Sequence, residues 1–425
     1  MAGLNLLGTT SRVATPFIKI TIGQYTFGVY DKKTTTGFDE SGYFKKHKIT
    51  YPNYVQSLSV RKINGQVNQY TLNIKYPITQ GNDPNFFEKV FSSVSKTREI
   101  KFSYGDFSAP NYIYKDEVAI ITDVKTRMTA ASSIIDYTVS AVSSAVLSMS
   151  GTHNFQAEYN QPSEVIKRLL KQNATYGLQD VFYGMRDYDK VIADGLIPGD
   201  DLPVNLEYRA NTSIFDYLKY LVSCMINRNN NTTASNELKN TYSLVVIDDT
   251  SGEYDGPYFK IFPVSKEKDA LGTYEIDIGY PSQNVVTEFN VDNDESYSIL
   301  YDYSTKLNPE KYSYRVDRET GELEEVFSPA ISSGNSQFLT RANDMTWWSK
   351  VTSFPIKATI TIKGLLRPAI LMTHVRLNVY FYGHKHISSG LYIITQQNDT
   401  INEQGYKTTL SMLRISGDDE FLGEK

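Results

Sequence analysis

At 425 residues the chain exceeds what one ordinary hydrophobic core accommodates, and its length suggests about two to four domains. A formal net charge of −5, from 43 basic and 48 acidic side chains, excludes the global positive field that draws proteins to nucleic acid or anionic membranes. The single cysteine, Cys224, excludes an intrachain disulfide framework and a cysteine-based zinc site, and five histidines leave little material for histidine chemistry.

Tyr and Phe, at 32 and 20 residues, dominate the aromatic content and favour half-buried pleated surfaces where a ring packs and a hydroxyl stays wet. The opening Met1-Ala2-Gly3-Leu4 has no basic run and no long apolar core, so it reads as mature sequence. No apolar run is long enough to span a bilayer, and the lone thiol fits synthesis in a reducing cytoplasm.

Short alternating runs fill the first third, at 17–30, 55–63, 69–76, 99–104 and 117–127. Asn64-Gly65 between two of them is the strongest hairpin signal in the chain. Phe86, Phe87, Val90, Phe91 and Val94 recur at helical spacing and predict a helix over 85–95. Alternation resumes over 132–149, and Ser150-Gly151 closes a strand-rich domain of residues 1–150.

The middle, 151–283, reads as a small α+β insert. Ser163 is the expected cap of a helix whose stripe is Val165, Ile166, Leu169 and Leu170. Asn211-Thr212-Ser213 opens a second, with Ile214, Phe215, Leu218, Leu221, Val222 and Met225 on one face. Strands follow at 242–247 and 258–264, across an acidic turn containing Asp248, Asp249, Glu253 and Asp255.

From residue 284 the pattern returns to strands. A polar, charged connection spans about 293–337, with too few aliphatic residues for its own core. A short helix is expected at 340–351 around Trp347-Trp348, then strands at 356–363, 374–382, 390–396 and 407–415 with a turn at Gly405.

Catalytic signatures are missing: there is no Gly-x-Ser-x-Gly elbow, no phosphate-binding glycine loop and no His-Glu-x-x-His helix. His384 and His386, two apart on an extended strand, present the best pair of metal-ligating imidazoles, with His374 a conceivable third. Structural sites usually need four ligands, so no metal and no cofactor is expected. Asp292 to Glu295 mimics a calcium loop, but Tyr297 stands where the tight turn requires glycine. The carboxylates of the 248–255 turn could supply a glycosidase acid and base, although turns collect aspartate by default. Arg61-Lys62 reads as a solvated basic pair, and Cys224 as a small core hydrophobe beside Leu221 and Met225. Trp347, Trp348, Tyr392 and Tyr406 are the candidates for subunit contacts.

Several segments in order carry a family resemblance: Ile360-Thr361-Ile362-Lys363-Gly364, the run 374–382, Ser389-Gly390-Leu391-Tyr392-Ile393-Ile394, and Gly405-Tyr406-Lys407-Thr408-Thr409-Leu410-Ser411-Met412. Upstream, the Ser163 helix, Asn211 to Leu218, and Asn284-Val285-Val286-Thr287-Glu288-Phe289 follow in the same order. The chain resembles the baseplate hub proteins of contractile-tailed bacteriophages and related injection machines. That resemblance implies a predominantly β, α+β protein with two tube-like β-barrel domains, 1–150 and 284–425, flanking the 151–283 insert. It also implies a non-enzymatic homotrimer in the virion tail baseplate, made in the host cytoplasm. Such a hub joins a hexameric tail tube protein to a trimeric central spike, contacts tape-measure and surrounding baseplate proteins, and lets DNA pass through its lumen without specific binding. The alternative is a tail protein that binds or degrades host-surface carbohydrate, motivated by the aromatic content and the acidic turn.

Overall fold

Apolar and polar residues alternate along the first segment, and its strands form where the apolar set can face one core. The computed structural model describes residues 16–29, 51–52, 54–78, 83–93, 98–106, 113–128, 133–172, 181–183, 201, 203–225, 241–248, 258–264, 273–277, 286–293, 314–316, 323–325, 356–363, 371, 374–386, 388–402 and 405–417. The run expected as one strand at 17–30 is a hairpin: β1 (Pro16–Ile22) turns at Gly23, where φ is +55°, into β2 (Tyr25–Val29). β3 (Tyr51–Pro52) lies parallel to β2. Asn64-Gly65 joins β4 (Val55–Ile63) to β5 (Gln69–Pro77), with Gly65 at φ +68°, a conformation that costs an L side chain about 1 kcal/mol or more.

Helix α1 (Phe86–Ser93) sets Phe87 against the rings of Phe27, Tyr76 and Tyr137, closing one end of this core. β6 (Glu99–Asp106), β7 (Tyr114–Met128) and β8 (Ile134–Ser143) complete the order β4-β5-β8-β7-β6-β1-β2-β3. Alternation expected to run to residue 149 stops at Ser143, whose Oγ accepts from the amide of Ala145 and caps a 3₁₀ turn over Ser144–Met149.

In the middle segment, β9 (His153–Phe155), β10 (Glu158–Asn160), β12 (Val204–Leu206) and β13 (Arg209–Thr212) form two small ladders, β9 with β13 and β10 with β12. β11 (Val181–Tyr183), β14 (Thr241–Ile247) and β15 (Tyr258–Val264) form a third, in the order β11-β15-β14. Helices α2 (Pro162–Gln172) and α3 (Ile214–Ser223) press their stripes into a second core with Leu244, Val246, Phe259 and Ile261, and Cys224 lies inside it. Ser213 caps α3 by accepting from the amide of Asp216. Ser163 does not cap α2. It sits inside the first turn, and the carboxylate of the distant Asp201 accepts from its amide at 2.8 Å and from its hydroxyl. Proline at the first helical position removes one orphan donor, and Asp201 satisfies another.

The last segment contains β16 (Thr273–Asp277), β17 (Val286–Asn293), β18 (Tyr314–Val316), β19 (Leu323–Glu325), β20 (Ile356–Lys363), β21 (His374–Phe381), β22 (His384–Lys385), β23 (Gly390–Asn402) and β24 (Gly405–Gly417). β18 and β19 pair with each other within the connection expected at 293–337. The closing hairpin is longer than expected on both sides, and Gly405 enters β24 at φ +114°.

β23 is thirteen residues long and serves two neighbourhoods. Its first turns of chain, His374↔Ile393 to Leu377↔Gly390, pair with β21, while Gln396 to Ile401 pair antiparallel with Ile63 to Leu58 of β4. The large sheet runs as one path, β17-β20-β24-β23-β4-β5-β8-β7-β6-β1-β2-β3, with β21 branching from β23 and carrying β16 and β22, and no closed barrel is found among the described strands. Because β23 extends past β21, the edge it leaves free there supplies ladder bonds to the first segment while β24 pairs along its other edge. Ile401 and Tyr406 accordingly belong to the core of the first segment. Ile401→Ala is expected to cost about 2–5 kcal/mol. Hydrogen exchange should show the loss as faster exchange in Leu58 to Val60, not only within the C-terminal strands where the substitution lies.

Candidate functional site: a buried polar joint

Strand parity places polar side chains inside. Side chains two apart share a face, and Lys62 follows Leu58 and Val60 on the inward face of β4. Asn68 precedes Tyr70, Leu72 and Ile74 in the same phase. Glu117 leads Ala119 and Ile121, Gln397 and Asp399 lead Ile401, and Thr408 lies between Tyr406 and Leu410. The ladders bring them together, with Gln397 opposite Lys62, Asp399 opposite Val60 and Thr408 opposite Asp399. A register shift between Phe102 and Tyr104 and a left-handed Asp116, at φ +47°, turn Glu117 fully inward.

At the centre, Lys62 Nζ donates to Glu117 Oε1 at 2.5 Å, and both groups are almost wholly removed from solvent. The ammonium also lies 3.9 Å from the centroid of the Tyr114 ring, a cation–π contact that offsets part of its desolvation. Glu117 Oε2 accepts from Tyr104 Oη at 3.1 Å and stands 3.0 Å from Tyr70 Oη. Tyr70 stacks on Phe102, and Tyr104 on Tyr114, which fixes the rings that carry these hydroxyls.

Two further carboxyl groups complete the joint. Asp248 comes from the end of β14, with Oδ1 accepting from Ser143 Oγ at 2.5 Å and Oδ2 from Asn68 Nδ2 at 2.7 Å, and Oδ2 also lies 2.9 Å from Tyr70 Oη. Asp399 comes from β23 and accepts from Thr408 Oγ1 at 2.6 Å, Tyr406 Oη at 3.0 Å and Gln397 Nε2 at 2.6 Å. The same Gln397 amide donates to Tyr114 Oη at 2.7 Å, linking Asp399 to the cation's aromatic neighbour. Burial pushes both aspartic acids above the usual carboxylate range, against the pull of their hydrogen bonds and of Lys62. Burial and the nearby carboxylates push the hydroxyls of Tyr70, Tyr104 and Tyr406 well above the usual phenol range.

Backbone bonds close the same place. Asn64 N donates to Thr395 O at 3.0 Å, Gly65 N to Leu244 O at 3.3 Å, and Ser143 N to Asn68 O at 2.8 Å. The first, middle and last segments of the sequence thus meet at one point. This buried arrangement holds the chain segments in register.

Asp248 corrects the picture of a solvated acidic turn. It is 1% exposed and cannot reach a sugar as an acid or base, while Asp249, Glu253 and Asp255 lie outside the described residues. Lys62 likewise is not solvated, and the signal that finds it is its inward parity. Tyr392 and Tyr406 are 0% and 2% exposed and bond within the chain, Tyr392 Oη donating to Ser388 O. They contribute core, not surface, because the register of β23 and β24 turns them inward. Trp347 and Trp348 lie outside the described residues. His384 and His386 are exposed, at the end of β21 and β22, and His386 Nδ1 is 2.7 Å from Ser388 Oγ. Among the described residues, no group of three or more His, Cys, Asp or Glu is placed to hold a metal, and no helix is long and apolar enough to cross a membrane.

Truncating one partner of the ion pair leaves the other charge buried alone. Lys62→Met is expected to cost about 3–5 kcal/mol in chemical denaturation. Adding Glu117→Gln should recover a large part of that loss, and a double-mutant cycle measures the coupling.

No protein-family model matches the chain, and no curated protein sequence matches it. Solved structures do. The tail protein from Neisseria meningitidis MC58 is similar with a TM-score of 0.52 at 8% identity, covering 94% of this chain and 96% of that one. The 43 kDa tail protein of prophage MuSo2 from Shewanella oneidensis gives a TM-score of 0.50 at 10% identity, covering 94% and 98%. Through the path of its backbone, and not through sequence identity, the chain has the fold of phage tail proteins.

Proposed function

We propose that the chain is a non-enzymatic structural component of the tail of a phage or related injection machine, and that it serves as the baseplate hub. The observation that carries this reading is the likeness to two solved tail proteins over more than nine-tenths of both chains. The single strand path supports it as well. A part that transmits force between a tube and a spike needs its two ends tied by ladder bonds, and β23 on β4 provides that tie.

In this reading three copies surround the tail axis, and segments 1–150 and 284–425 each supply one tube-like unit to a pseudo-sixfold ring. The ring meets the hexameric tail tube on one side and a trimeric central spike on the other, with tape-measure and surrounding baseplate proteins as further partners. The middle segment, 151–283, extends outward as a contact platform. DNA crosses the lumen without specific binding, in keeping with a net charge of −5. The protein is made in the host cytoplasm and works in the virion tail.

Native mass spectrometry of the purified chain, alone and mixed with its spike, is expected to show a trimer. Electron microscopy of particles carrying a tagged copy should place the tag at the distal end of the tail. A chain that stays monomeric with the spike present and is missing from particles sinks the hub reading, and glycan cleavage by the pure protein would sink the non-enzymatic one.

A further inference from the structure

The hydroxyl of Tyr70 has one hydrogen and faces two carboxyl oxygens, Glu117 Oε2 at 3.0 Å and Asp248 Oδ2 at 2.9 Å. With both groups ionised, one of these contacts would set lone pair against lone pair in a site closed to water, which is strongly unfavourable. A second proton resolves it, and the surroundings determine where that proton sits. Glu117 has the Lys62 ammonium at 2.5 Å and stays ionised. The hydrogen-bonding neighbours of Asp248 are the neutral Ser143, Asn68 and Tyr70.

We propose that Asp248 is folded into the joint in its neutral, protonated form, and that this proton latches the middle segment onto the large sheet. The resulting chain runs from Asp248 Oδ2–H to Tyr70 Oη, and from Tyr70 Oη–H to Glu117 Oε2. Its other end is the Lys62 ammonium. Among the described residues, the titratable and charged groups that face this chain are Lys62 on β4, Tyr70 on β5, Tyr104 on β6, Tyr114 and Glu117 on β7, Asp399 on β23 and Tyr406 on β24. With Asp248 neutral, the single ammonium balances Glu117 beside an Asp399 that holds three donors. With Asp248 ionised, three carboxylates surround one cation in a buried site. Asp248 adjoins β14, whose Leu244 and Val246 belong to the middle core, so repulsion at the latch acts directly on that segment.

The direction with pH follows from linkage. The folded chain binds this proton more tightly than the unfolded chain, whose aspartate titrates near its ordinary value of 3.8. The latch is therefore at full strength in acid, and its stabilisation is lost as pH rises from that value through the raised folded-state pKa. Because a single proton is involved, the population of the opened middle segment climbs by at most about tenfold per pH unit within that window.

Infrared spectroscopy of the full chain, labelled with ¹³C-carboxyl aspartate, tests the proton without any substitution. A protonated aspartic carbonyl band is expected at neutral pH, weakening as pH rises in step with faster hydrogen exchange of Val245 to Ile247. Asp248→Asn should remove band intensity and flatten the exchange profile, since an amide at this position carries no titrating proton. Asp399→Asn should leave the Asp248 part of both signals in place. A neutral-pH spectrum without the band overturns the proposal, as does an Asp248→Asn protein whose band and pH profile match the unmodified chain. Neither result bears on the tail role, which is read from assembly.

Discussion

An ammonium and a carboxylate, Lys62 and Glu117, meet inside the sheet where solvent does not reach. Taking such a pair out of water costs several kcal/mol per ion, and the attraction offsets that only when the remaining donors and acceptors are also met. The rest of the joint follows from this constraint. Stacked tyrosines hold hydroxyls toward Glu117, an aromatic face covers the cation, and two further carboxyl groups are each surrounded by neutral donors. An apolar core of similar volume asks only that its side chains face inward. This one is satisfied in a single register, because a slip of one residue would carry Gln397, Asp399 and Ile401 to the opposite face together.

That selectivity matters because the pieces come from far apart in the chain. β4 and β23 are separated by most of the sequence, and forming such a long-range ladder pays the loop-closure cost before any bond is made. The joint ties the first segment, the end of β14 and the closing hairpin together at one place. The tie between these distant segments runs through backbone ladders and not through a linker, in a fold like that of two solved tail proteins.

Much of the local structure was legible in the residues. The β4–β5 hairpin follows from Asn64-Gly65, α3 from its Ser213 cap and apolar stripe, and the closing meander from alternation around Gly405. The lengths of β23 and β24 were underestimated because residues 396–402 are mostly polar, so their strand character comes from pairing with β4 and not from their own pattern. Ser163 was legible as the opening of α2 but not as the residue capped by Asp201, which is remote in sequence. Lys62 and Asp248 were hidden by residue type. Charged residues beside turns are usually solvated, and only their inward parity hinted otherwise.

The sequence by itself determined the β-rich class, most strand and helix positions, the absence of familiar catalytic motifs and the place of Cys224 in an apolar stripe. These depend on periodicity and short-range sterics, which act between near neighbours. Only the tertiary structure decided that the first and last segments share one sheet, that Tyr392 and Tyr406 are core, and that three carboxyl groups gather around one lysine. Those outcomes are set by which distant strand supplies the next ladder, and the energy that selects it arises only when all three segments are in place.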